Sequence, residues 1–326
     1  MKKFFYLSLI IIIAGFVFSC KKTENNNVII YTCTEDFRTE HMQELLSEKF
    51  PNYNITLQVL STGNAAAKLK AEGTQTEADI ILNLETGYFE GLLDIMADLS
   101  SFDISGFLPE MVPASKTYLP WDKSSGAIVI NRAKLESLGL PIPASYRDLL
   151  NPSYKGLISM PNPKTSGTGY MFLVSLINAW GEDAAYTYFD GLAENILQFT
   201  TSGSGPVNAL IQGEAAIALG MTLTAVNTIN TRNIPFELFY FSEGAPTITT
   251  SFGLIKGRET NAIVKEVFEF CMTKLLMDDK ELYCPEPVMI NQANNIPNYP
   301  RNIPYANMDG VYDLVLKERL LARWKY

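Results

Sequence analysis

The sequence predicts an α/β protein of two lobes, and three observations carry that expectation. Its 326 residues are about twice an ordinary domain. Apolar residues form 47% of the chain and charged residues 19%, a balance that fills a core and does not fit disorder. Short β-rich runs alternate with helix-period segments, the pattern of parallel α/β architecture.

The chain opens with an export address. Lys2 and Lys3 precede an apolar run from Phe4 to Phe18, followed by Ser19 and Cys20. That run is short for a membrane span and has the layout of a secretory signal. Val17-Phe18-Ser19-Cys20 resembles a bacterial lipobox, so residues 1–19 are expected to be a signal peptide and Cys20 the lipidated residue. Residues 20–27 then read as a solvated tether. An uncleaved N-terminal anchor is the alternative.

After the tether, Val28–Tyr31 is the first strand, ending in Thr32-Cys33-Thr34. Residues 36–50 place Phe37, Met42, Leu45, Leu46 and Phe50 at helical spacing. Ile55, Leu57 and Val59 alternate as a second strand, and Ser61-Thr62-Gly63-Asn64 caps a helix that stops at Gly73. Ala78–Leu82 is a third strand, followed by polar Asn83 and Glu85. Ala127–Asn131 is a strand leading into a helix over 132–140, and Leu157–Met160 is another strand. Residues 170–180 read as a buried helix and 182–193 as a second. The run to Phe199 is extended, residues 207–214 are helical, and Ala215–Leu219 is a short strand ending before Thr222. Residues 247–255 are extended, with helices near 261–277 and 310–323.

Composition narrows the chemistry. Lys plus Arg total 26 against 35 acids, a net of −9, which disfavours a nucleic-acid partner. The single histidine, His41, excludes a His-rich metal centre, and no cofactor is expected. Neither GxxxxGK[ST] nor GxSxG occurs. Two loops stand out instead: Thr165-Ser166-Gly167-Thr168 and Thr201-Ser202-Gly203-Ser204, each following an extended run and leading into a helix. Helix starts present unpaired N–H groups and the positive end of the dipole, glycine admits close approach, and hydroxyls add donors. The combination suits an oxyanion. Simple N-caps are the alternative, although a cap needs one hydroxyl residue and each loop has three.

Taken in order, VIIYT, STGNAAAKLKAEG, ADIIL, AIVINRAKL, SMPNPKTSGTGY and LIQGEAAIALG resemble the type II periplasmic solute-binding proteins of ABC importers, in the branch of ferric-ion, 2-aminoethylphosphonate and sugar-phosphate receptors. The resemblance implies a two-lobed type II periplasmic-binding-protein fold, each lobe a mixed sheet flanked by helices, joined by two crossing strands near Ser125–Ile130 and Thr247–Ser251. Lobe 1 would comprise 28–125 plus 250–326, and lobe 2 would comprise 126–249. By motif position, lobe 1 would offer Thr32, Cys33, Thr34, Thr62, Gly63, Asn64, Asn83 and Glu85 to a ligand. Lobe 2 would offer its two Ser/Thr/Gly loops and Thr222. The partners implied are a small anionic solute, an ABC permease and, through the lipid, a membrane. Ferric receptors carry a tyrosine pair after the strand that ends before Thr222; residues 220–224 contain none, so metal ligands are not expected, and iron carried with an anion is the variant left.

Other expectations are plainer. Arg38 and Lys164 are the cations nearest the two loops, and Arg38 could fork onto an oxyanion, but they read first as an exposed helix-face charge and a solvated loop residue; Tyr31, Trp121 and Tyr170 could wall a cleft but read first as core. Cys271 and Cys284 either pair or stay as free buried thiols. The competing functions are a surface hydrolase using Cys33 and His41, and a signalling or adhesion lipoprotein on the same fold.

Overall fold

The computed structural model describes residues 26–326. The signal-peptide, lipobox and Cys20 expectations therefore lie outside the described residues. Nine strands are present among them: β1 Asn27–Thr32, β2 Asn54–Val59, β3 Ile80–Glu85, β4 Leu119–Ile130, β5 Ile158–Pro161, β6 Ile196–Thr200, β7 Ile217–Met221, β8 Glu237–Phe239 and β9 Thr247–Leu254. Their order is β2-β1-β3-β9-β4-β7-β5-β6, with β8 also on β4.

Strand β4 passes from one lobe to the other. Residues Leu119 to Ser125 pair antiparallel with β9, in register Leu119↔Phe252 through Ser125↔Thr247. From Gly126 onward the partner is β7, in register Gly126↔Met221 through Ile130↔Ile217. The first lobe is thus β2-β1-β3-β9 with the start of β4, and the second is the end of β4 with β8, β7, β5 and β6. Each sheet is mixed: β1–β2, β1–β3, β5–β6 and β5–β7 are parallel, and the pairs with β4 and β9 are antiparallel. At the handover a Cβ on Gly126 would lie 2.8 Å from the Phe172 ring, so a larger residue there would have to displace that ring.

The helices are α1 Asp36–Lys49, α2 Thr62–Glu72, α3 Thr86–Glu90, α4 Arg132–Ser137, α5 Gly167–Trp180, α6 Glu182–Ala193, α7 Gly205–Ile211, α8 Thr222–Arg232, α9 Ala262–Phe270, α10 Leu276–Leu282 and α11 Leu314–Arg323. A π turn, Cys271–Leu275, makes α9 and α10 one continuous rod. One core, around Val28, Leu46, Trp121, Phe252 and Phe268, fills the first lobe. Another, around Ile130, Tyr154, Phe172, Phe189 and Leu219, fills the second. None of the helices among the described residues is long and apolar enough to cross a membrane.

Two expectations need correction. The C-terminal stretch does not stay with the first lobe, because Val311, Leu320 and Trp324 bury their side chains in the second-lobe core, where Trp324 packs edge-on to Phe189. Segment 222–232, not expected as an element, is helix α8: its threonines and asparagines are weak helix formers, but Leu223, Ala225 and Val226 are buried. Of the two readings left open for Cys271 and Cys284, that of free buried thiols holds, and Cys33 is free as well; no disulfide is present among the described residues.

Candidate functional site

Where strands run parallel, their carboxyl ends and the helix starts that follow collect at one edge. Here β1 delivers Cys33 and Thr34 to the start of α1, β2 delivers Leu60, Ser61 and Thr62 to α2, and β3 ends at Glu85. From the other lobe, β5 leads through Thr165 and Ser166 to α5, β6 through Thr201–Ser204 to α7, and β7 ends at Met221. These ends surround one cavity of about 300 Å³ between the lobes, floored by Asp122, Ser124, Ile248 and Thr250 of the crossing strands. Small-molecule sites span about 300–1,000 Å³, so a ligand of sugar size suits it.

The second-lobe wall carries no charge. Ser166 is the N-cap of α5 without a side-chain cap bond, and the first turn of that helix contains no acid. The two loops touch: Gly203 lies against Thr168, and a Cβ at Gly203 would overlap the Thr168 hydroxyl. Gly169 is packed as closely, since a Cβ there would sit 2.5 Å from the Pro161 carbonyl oxygen. Hydroxyls and the amides of a helix start therefore converge on this side.

The first-lobe wall carries Glu35, Asp36, Glu85 and Asp122, with Arg38 behind them. Arg38 is buried, at 1% exposure, and not on an open helix face. Its Nε donates to Asp279 Oδ1 at 2.8 Å, Nη2 to Asp279 Oδ2 at 2.7 Å and Asp122 Oδ2 at 2.8 Å, and Nη1 to Glu35 Oε2 at 2.9 Å. Lys280, also buried, donates to Asp279 Oδ2 at 2.9 Å. Burial opposes the charge on Asp279, but Arg38 and Lys280 outweigh it and hold this carboxyl down at about 2. Asp122 takes further bonds from Asn83, Ser124 and Thr250. Asp122, Asp279 and the Cys284 thiol lie close enough to hold a metal ion. Their oxygens are instead spent on cations and hydroxyls, so the donor set does not suit one.

Glu85 is paired differently. Its Oε1 accepts from Lys317 of α11, and both side chains are buried. Its Oε2 is buried with no hydrogen-bond partner among the described residues. Burial lowers the Lys317 ammonium, and the Glu85 charge opposes that.

Of the residues expected from sequence, Cys33, Thr34, Thr62, Asn83, Glu85, Thr165–Thr168 and Thr201–Ser204 line the cavity. Four do not reach it. Thr32 is fully buried and bonds Thr34 at 2.5 Å. Gly63 packs toward the Lys164 carbonyl, and Asn64 points to solvent. Thr222 is buried at the lobe crossing, 2.9 Å from Ser125 Oγ and 3.2 Å from Tyr240 OH. Sequence reasoning missed Glu35, Asp36, Asp122, Ser124 and Thr250, none of which sits in a local motif, and Ser61, which it read only as part of a helix cap. Tyr31, Trp121 and Tyr170 are core, as their spacing suggested. Cys33 and His41 do not form a nucleophile pair: burial pushes the Cys33 thiol up to about 12, and His41 lies 3.5 Å from Asp278 and edge-on to Tyr283. The lining contains no tyrosine or histidine.

Known proteins share this architecture. An uncharacterized protein of Haemophilus influenzae is 24% identical over 288 residues, covering 82% of this chain and 79% of its own. The thiamine-binding periplasmic protein of Salmonella typhimurium is 25% identical over 200 residues, covering 59% and 58%. Among solved structures, the periplasmic binding protein AfuA from Actinobacillus pleuropneumoniae, with exogenous fructose-6-phosphate bound, superposes with a TM-score of 0.80 at 21% identity, covering 91% of this chain and 97% of its own. The fold is therefore that of the two-lobed periplasmic binding proteins. The profile of one family matches residues 84–309, more than half of the chain, and with that match the chain belongs to the bacterial extracellular solute-binding proteins.

Proposed function

We propose that this protein captures a small solute bearing an oxyanion at one end and hydrogen-bond donors at the other, such as a phosphosugar or an aminoalkyl phosphonate. It would then hand the solute to an ABC permease. The observation that carries this reading is the cavity's asymmetry: hydroxyls and a helix start on the second lobe face carboxylates on the first. The uncharged wall suits the oxyanion, and the carboxylates suit hydroxyls or an ammonium. One helix start contributes only about 0.3–1 kcal/mol, whereas micromolar binding needs about 8, so both walls must engage and the lobes must close on the ligand. The fructose-6-phosphate in the AfuA structure supports this chemistry. Export through the N-terminal signal and lipidation of Cys20 complete the proposal, placing the receptor outside the cytoplasmic membrane on a lipid anchor.

A cationic solute is the second reading, favoured by the same carboxylates and by the thiamine-binding relative. Isothermal titration of the purified protein with inorganic phosphate, 2-aminoethylphosphonate, fructose 6-phosphate and thiamine separates the two. Saturable heat with an anion and none with thiamine is expected; the reverse overturns the oxyanion reading.

A further inference from the structure

Helix α11 is fastened to the second lobe yet reaches the first. Tyr186 OH donates to the Leu320 carbonyl at 2.6 Å, Arg319 and Arg323 clasp Glu182, and Lys325 pairs with Asp190 at 2.6 Å. On its other side, Gly87 and Gly91 of the first lobe leave room for Tyr312 and Leu314; a Cβ on Gly91 would stand 2.8 Å from Leu314 Cδ1. From this position Lys317 enters the protein behind the cavity wall. Its Nζ lies 4.2 Å from the Tyr88 ring centroid and 4.3 Å from that of Tyr170, one ring from each lobe, and bonds Glu85 Oε1.

Glu85 stands where an oxyanion is least welcome. A Cβ built on Gly167 would be 3.0 Å from Glu85 Oε2, so that unpartnered oxygen abuts the start of α5. An oxyanion seated on that helix start would meet a carboxylate at close range. Arg38 does not relieve it, because its bonds go to Glu35, Asp122 and Asp279. Lys317 does not line the cavity, so it matches the Glu85 charge without itself touching a ligand there.

We propose that Lys317 is a specificity-determining residue: by neutralising Glu85 from behind, it keeps the α5 end of the cleft open to an anion and closed to a cation. This rests on the oxyanion reading above. Lys317 is a positioning residue, and its effect is electrostatic rather than a strap between lobes. The charge account makes three variants diverge. Lys317→Met leaves Glu85 an unmatched anion and weakens anion binding. Glu85→Gln leaves Lys317 an unmatched cation and strengthens it. The double variant returns near the starting point. A strap account has all three weakened or all three unchanged.

The experiment is titration of wild type and the three variants at pH 8.5 with inorganic phosphate, 2-aminoethylphosphonate and fructose 6-phosphate, alongside melting curves. For the anion that wild type binds, the expected result is a loss of about tenfold or more in Lys317→Met, a gain of about threefold in Glu85→Gln, and a double variant within about threefold of wild type. Should Lys317→Met fail to fold, the gain in Glu85→Gln decides. Equal affinity in wild type and Lys317→Met, no gain in Glu85→Gln, or a double variant as weak as Lys317→Met overturns the proposal while leaving the oxyanion reading intact. Absence of wild-type binding to all three anions overturns both.

Discussion

The two walls of the cleft solve opposite problems. The second-lobe wall, Thr165–Thr168 and Thr201–Ser204, holds no charged side chain and depends on backbone placement, so its glycines matter as much as its hydroxyls. The first-lobe wall is crowded with carboxylates and depends on charge matching, with Arg38 and Lys280 buried behind Glu35, Asp122 and Asp279, and Lys317 behind Glu85. One wall is tuned by geometry and the other by electrostatics. Substitutions should therefore act on them differently: local ligand affinity on the second lobe, folding at the Arg38 cluster of the first.

The largest effect tests that difference directly. Arg38→Met takes the guanidinium from Glu35, Asp122 and Asp279, leaving Asp279 only Lys280, and should cost about 3–5 kcal/mol of stability, read by urea unfolding. A loss under about 1 kcal/mol would show that the cluster is wetter than its burial implies. Acid provides a gentler version. Asp279 is held at about 2 in the folded protein against an ordinary value near 3.8, so it contributes stability above pH 4 that disappears as the pH falls through about 2. The shift corresponds to about 2 kcal/mol, and Asp279→Asn should flatten that part of the stability profile.

On the other wall, Thr168→Val keeps the shape and removes one hydroxyl. It should weaken oxyanion binding by about 1–2 kcal/mol while shifting the melting temperature little. A large loss of stability with intact binding would invert the comparison. The smallest effect is at the cleft mouth, where Asp36 is exposed. Asp36→Asn should speed anion association by about twofold at low salt and leave stability within about 0.5 kcal/mol, seen in stopped-flow traces at two ionic strengths.

The same contrast governs how much the chain reveals by itself. The Ser/Thr/Gly loops are legible because hydroxyls and glycines cluster between a strand and a helix, and both loops do line the cavity. Arg38 is not legible, because its partners Asp122 and Asp279 lie 84 and 241 residues away and nothing local marks them. The first half of β4 hides for a related reason. Pro120, Asp122, Lys123 and Ser124 do not read as a strand, yet pairing with β9 and the Arg38 contact place them in one. Thr222 is misread because the end of β7 looks like the other loop ends, and only the crossing of the lobes turns its hydroxyl toward Ser125 and Tyr240.

Sequence alone determined the alternation of strands and helices, the burial of the apolar runs and the two hydroxyl-rich helix starts, since each depends on residues within a few positions of one another. Tertiary structure alone decided which carboxylates face the cleft, which cations neutralise them, and that the last helix joins the second lobe while reaching back to Glu85. Those outcomes belong to charge and packing between distant segments, and a buried charge settles only where the whole fold supplies its partner.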